Sequence, residues 1–111
     1  MDIKVRKAGK ATILDLSGPL KMGEAVEAFR EQVEELLGSG TKNLAVNLAG
    51  VPEMDSSGIG ALVRAFSTLK QSGGKCKFFA PPKRVKQTLK MVRLDTVLDL
   101  ADDEASALAG F

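Results

Sequence analysis

The sequence predicts a single α/β domain built on a mixed, mainly parallel sheet of four to five strands with about four helices. Three observations carry that prediction. Apolar residues alternate with a period of two in several short runs, helical spacing takes over between those runs, and the connections are short. The predicted order is β-β-α-β-α-β-α-β-α. The chain has 111 residues, and with about 150 residues to a typical domain the whole of 1–111 reads as one unit.

Residues 2–7 and 11–17 are two apolar-polar runs joined at Lys7-Ala8-Gly9-Lys10, the pattern of a hairpin and so of an antiparallel edge. In the second run Thr12, Leu14 and Leu16 share one face and Ala11, Ile13 and Asp15 the other. Gly18-Pro19 ends it. Met22, Val26, Phe29, Val33 and Leu36 then mark one face of a helix with a Glu-rich side opposite, closed by Gly38-Ser39-Gly40. Leu44, Val46 and Leu48 alternate in a central strand from Asn43 to Leu48. A turn over Ala49 to Met54 leads to Asp55-Ser56-Ser57. Ile59, Leu62, Val63, Phe66 and Leu69 follow at helical spacing as far as Ser72-Gly73-Gly74. Lys75 to Ala80 is a strand with Cys76 and Phe78 inward, and after Pro81-Pro82 the residues Val85, Leu89 and Val92 mark a short helix. Leu94 to Leu100 supplies a final strand. Asp102-Asp103-Glu104 opens a last helix with acids where its dipole favours them.

Composition excludes several functions. Sixteen Lys and Arg against fourteen Asp and Glu leave a net charge of +2, too little for a global polyelectrolyte argument. There is no His, so a Ser-His-Asp or Cys-His arrangement lacks its base, and a Cys/His zinc site lacks its ligands. The single cysteine, Cys76, forms no intramolecular disulfide and reads as a small buried hydrophobe. No apolar h-region opens the chain and no run approaches the length of a membrane span, so the expectation is a cytoplasmic protein without membrane insertion.

The strongest local feature is Met54-Asp55-Ser56-Ser57-Gly58-Ile59-Gly60, at the joint between a buried strand and an amphipathic helix. Helix capping explains one Asp or Ser there, but three potential capping groups in a row exceed what one helix start requires. Gly58 and Gly60 each cost about 1 kcal/mol relative to Ala in a helix, so something other than helix stability favours them. Small residues let another backbone or a ligand approach closely. A nucleophilic serine would need a base and an elbow motif, and a phosphate cradle would need a Gly-rich loop ending in Lys and Ser or Thr; the sequence has neither. The remaining use is modification. A phosphoserine at a helix start gains from free backbone N–H groups and the positive dipole end, and carries about −1.5 to −2 charges.

Asn47-Leu48-Ala49-Gly50-Val51 leading into Met54-Asp55-Ser56-Ser57-Gly58-Ile59-Gly60-Ala61-Leu62 resembles the signature of the STAS domain, specifically that of bacterial anti-sigma factor antagonists. The hairpin, Gly18-Pro19-Leu20, Gly73-Gly74, and Val85 to Leu98 followed by Ala107-Leu108 fit the same layout over nearly the whole chain. The resemblance implies a binding switch that is not an enzyme and needs no cofactor. Its partner would be an anti-sigma factor that is also a serine kinase and itself binds the ATP. The unphosphorylated antagonist binds that partner, phosphorylation releases it, and a PP2C-type phosphatase resets the cycle. By position the acceptor is Ser56, with Asp55, Ser57, Gly58, Ile59, Gly60 and Lys21 forming the surrounding partner-binding loop. Lys21 stands where such proteins often carry an acid, and Asn47 where Asp is common. If Lys21 lies near Ser56, it attracts a phosphate instead of repelling it.

From Ser56 to Leu94 there is no acid, while Arg64, Lys70, Lys75, Lys77, Lys83, Arg84, Lys86, Lys90 and Arg93 are all basic. A nucleic-acid surface would show such a stripe, but aromatic interleaving and a helix-turn-helix pattern are missing, so no nucleic-acid partner is expected. The plainer reading is a solvated face that balances the Glu-rich helix at 24–35, with docking of an acidic partner as a weaker use. The alternative function keeps the domain and drops the switch: a STAS scaffold subunit of a lipid-transport or stress-signalling complex.

Overall fold

Gly9 takes a positive φ of 59°, which lets the chain reverse between β1 (Asp2–Ala8) and β2 (Ala11–Ser17). The two strands pair antiparallel from Asp2 opposite Ser17 to Ala8 opposite Ala11. A computed structural model describes residues 1–111 and places this hairpin at one edge of a five-stranded sheet in the order β1-β2-β3-β4-β5. The strands β3 (Asn43–Gly50), β4 (Lys75–Phe79) and β5 (Leu100–Ala101) all run parallel to β2. Element order and mixed sheet both match the sequence pattern.

Alternation along the inner strands sends side chains to two separate cores. Leu14, Val46 and Phe78 point to one face, where they pack with Phe29 and Val33 of α1 (Glu24–Gly38) and Leu62 and Leu69 of α2 (Ser56–Gln71). Val85 and Leu89 of α3 (Lys83–Met91) complete that layer. Ile13, Ala45 and Phe79 point the other way and are covered by Ala107 of α4 (Glu104–Ala109). All of these side chains are buried. Full burial of one such apolar side chain is worth about 1.5–3 kcal/mol, so the two-sided sheet is the main source of stability. Cys76 lies in the larger core, where burial pushes its thiol up to about 12.

An ionic bridge fastens the second layer. Arg6 donates from Nε to Asp15 at 2.7 Å and from Nη1 to Glu104 at 3.1 Å, joining β1, β2 and α4. Asn47 donates to Asp15 at 2.8 Å and accepts the Ala49 N–H at 3.0 Å. The guanidinium holds both carboxyls below the usual carboxylate range. Asn47 therefore has a structural task at the position where the sequence resemblance prefers Asp.

Three details differ from the sequence pattern. The first helix begins at Glu24, not Met22, because Gly23 sits at φ 109° and breaks the helical path; Met22 is 76% exposed in the loop before it. Val92 is the C-cap of α3 and half exposed, not part of its buried face. The expected strand from Leu94 to Leu100 reduces to Leu100–Ala101. Leu94 and Leu98 do turn toward the core, but their N–H groups bond locally, Leu94 to the Leu89 carbonyl and Leu98 to the Leu94 carbonyl. Alternating apolar residues here line a turn, not a ladder.

Candidate functional site

The joint between β3 and α2 is clamped to the loop that follows β2. Leu20 donates its N–H to the Glu53 carbonyl at 3.0 Å and accepts the Asp55 N–H at 3.3 Å, forming an isolated parallel bridge with Met54. Asp55 is the N-cap of α2. One carboxylate oxygen accepts the Gly58 N–H at 2.9 Å and the other accepts the Met22 N–H, also at 2.9 Å. These backbone donors hold the Asp55 carboxyl below the usual carboxylate range.

Gly58 answers the question its sequence position raised. A Cβ there would overlap the Leu20 carbonyl oxygen and crowd its side chain, so only glycine lets the two backbones meet. Gly60 faces open space and has no such packing reason. It lines, with Ser57, Ala61 and Ala65, one wall of a groove of about 560 Å³ whose other wall is Phe29 and Val33 of α1.

Ser56 is the first helical residue of α2 and is exposed, while Ser57 beside it is half-buried and Ile59 packs partly against the main core. The N–H groups of Ser56 and Ser57 find no backbone acceptor, as expected at the first turn of a helix. The fold thus presents a free hydroxyl at the positive end of a sixteen-residue helix. The Ser56 hydroxyl makes no hydrogen bond to a carboxylate of the chain. Asp55, the nearest carboxylate in sequence, is engaged by two N–H donors and held in its ionised form.

Lys21 lies between the two clamped residues Leu20 and Met22, so its backbone borders the site. Its ammonium makes no hydrogen bond to Ser56. It pairs instead with Glu53, whose second oxygen takes Arg84 of α3 at 3.2 Å. The sequence does not mark Glu53, and it marks Arg84 only as one of the basic stretch, because no local spacing relates residues that meet only through the fold. The same holds for the backbone of Met22. The basic stretch is likewise divided: Lys77 pairs with Asp99, Lys86 with Asp102 and Arg84 with Glu53, while Arg30 of α1 takes Glu27 and Glu34 of its own helix. No ion pair joins the Glu-rich helix to the basic stretch, so the two do not neutralise one another by contact.

The family model described as the STAS domain matches residues 2–107. The chain belongs to the STAS family. A Thermotoga maritima protein, provisionally named an anti-sigma factor antagonist, is 26% identical over 86 residues, which is 77% of this chain and 76% of the relative. A crystal structure under a similar provisional name from the same organism superposes with a TM-score of 0.90 at 23% identity, covering 97% of this chain and 92% of the other. The phosphorylated form of SpoIIAA, described as a Bacillus cell fate determinant, gives a TM-score of 0.73 at 20% identity with 97% of both chains covered. At these identities the solved structures establish the STAS fold. No helix of this STAS chain is long and apolar enough to cross a membrane.

Proposed function

We propose that this STAS domain is an anti-sigma factor antagonist that binds an anti-sigma factor when Ser56 is unmodified and releases it when Ser56 is phosphorylated. The observation that carries the reading is the exposed Ser56 hydroxyl at the start of α2, on a loop clamped by Asp55, Met22, Leu20 and Gly58. The names of the relatives support the class of partner. That SpoIIAA, a neighbour in fold, is described in both unphosphorylated and phosphorylated forms supports the kind of modification.

The chain acts as a substrate and binding module, and the catalyst comes from the partner. In the transfer, Ser56 Oγ bonds to the γ-phosphorus of ATP held by the kinase as the bond from that phosphorus to ADP breaks. The hydroxyl proton leaves to a base on the kinase, since Asp55 is committed to the loop. A PP2C-type phosphatase returns the serine by hydrolysis.

Charge alone is enough to drive release. A hundredfold loss of affinity corresponds to about 2.7 kcal/mol. One like-charge contact about 4 Å apart supplies up to ~4 kcal/mol at an effective dielectric of about 20. A rigid, clamped loop delivers that repulsion without refolding the domain.

The test is phosphate mapping. Incubation with ATP and the serine-kinase anti-sigma factors of the same genome is expected to add one phosphoryl group, located on Ser56, and none to Ser56→Ala. Phosphate on another residue, or no phosphate with any of them, overturns the reading. Constant co-purification with a transporter subunit and no phosphate would favour the scaffold role instead.

A further inference from the structure

We infer that Lys21 is a phosphate-capturing residue: once Ser56 is phosphorylated, the Lys21 ammonium leaves Glu53 for the phosphoserine, while Arg84 keeps Glu53 paired. This inference rests on the reading of Ser56 as the modified residue.

Three observations carry it. The backbone on both sides of Lys21 is fixed to the segment just ahead of Ser56, through Leu20 with Glu53 and Asp55 and through Met22 with the Asp55 carboxylate. Only a flexible side chain then separates the ammonium from the start of α2. Next, one carboxylate serves two cations, Lys21 on Oε1 and Arg84 on Oε2. Either cation can therefore depart without leaving Glu53 uncompensated. Finally, Lys21 is half exposed, so its movement to a neighbouring anion breaks no buried contact.

The direction of exchange follows from charge. A phosphoserine carries about −1.5 to −2 at neutral pH against −1 for a carboxylate, and it would stand at the start of α2, where the Ser56 N–H has no backbone acceptor. A point-charge ammonium on a flexible stem suits that role, and the fork of Arg84 stays with the planar carboxylate. Phosphorylation thereby rearranges the ion pairs at the mouth of the site as well as adding charge. Lys21 is a positioning residue for the phosphate, distinct from the repulsion that releases the partner.

The test uses the full chain with phosphoserine encoded genetically at position 56, so that it needs no kinase and its outcome is independent of whether one modifies Ser56. The readout is the second ionisation of the phosphate, followed by ³¹P chemical shift against pH at low salt. The charged groups on the segments clamped to the start of α2 are Asp55, Glu53 and Lys21, with Arg84 of α3 paired to Glu53. Capture predicts that Lys21→Met raises the apparent phosphate pKa by about half a unit, a size in keeping with an exposed ion pair. Lys21→Glu should raise it further. Lys70→Met, which removes an equal charge about 21 Å along α2 at 1.5 Å per residue, should leave it unchanged. The Lys21→Met shift should also vanish near 1 M salt, where screening acts over about 3 Å. Equal phosphate pKa values in the unsubstituted chain and Lys21→Met, or equal shifts for Lys21→Met and Lys70→Met, would overturn the inference.

Discussion

The carboxylate of Asp55 takes the backbone N–H of Met22 at 2.9 Å, tying the loop after β2 to the first turn of α2. The same carboxylate caps the helix through Gly58. One acidic side chain therefore sets both the start of α2 and the position of the loop that carries Lys21. Because N–H donors depress its folded-state pKa, the contribution of Asp55 is fully present above its unfolded value of 3.8 and is lost as pH falls through the folded one. Thermal unfolding followed between pH 5 and pH 2 should show the unsubstituted chain losing stability faster than Asp55→Asn. Parallel pH profiles would remove the carboxylate from this role.

The two glycines near the start of α2 should respond in opposite directions to the same substitution. Gly58→Ala forces a Cβ into the Leu20 carbonyl and should destabilise the fold by about 2 kcal/mol, in the range of overpacked cores. Gly60→Ala meets open space and should stabilise α2 by up to about 1 kcal/mol through helix propensity. Urea denaturation of the two variants separates these expectations directly.

The Arg6 bridge predicts acid sensitivity on the opposite side of the sheet. Asp15 and Glu104 have depressed folded-state pKa values, with the Arg6 hydrogen bonds as the leading cause. Their contribution is complete above the ordinary values of 3.8 and 4.5 and declines as pH falls below them. Arg6→Met should cost about 1 kcal/mol at pH 7, because these groups are partly solvated, and the difference should narrow towards pH 2. Stability against pH for both proteins provides the check.

Cys76 should behave as an inert core residue. It is 3% exposed and its thiol is raised to about 12, so little thiolate exists at neutral pH and reagents cannot reach it. Alkylation should be negligible in the native state and rapid in denaturant. Fast labelling of the folded protein would contradict the placement of Cys76 in the core.

Much of the fold was legible because its signals are local. The period-two runs of β2, β3 and β4 and the helical spacing of Val26, Phe29 and Val33 each lie within one short segment. The failures arise where local pattern and backbone bonding part company. Leu94 to Leu98 alternates like a strand, yet its N–H groups close turns. Met22 has the right spacing for the buried face of α1, but Gly23 intervenes with a backbone that no helix adopts. The site divides in the same way. Asp55, Ser56 and Gly58 sit in one motif and could be read from it, whereas Glu53, Arg84 and the Met22 backbone join the loop only through long-range contacts.

If Ser56 is the switch, one phosphate on it decides whether a partner stays bound. Calorimetric titration of a single serine-kinase anti-sigma factor with two forms of the chain, unmodified and carrying encoded phosphoserine at position 56, measures this. The modified form is expected to bind at least about a hundredfold more weakly, a difference of about 2.7 kcal/mol. Equal affinity of the two forms for a partner that binds the unmodified chain would contradict it.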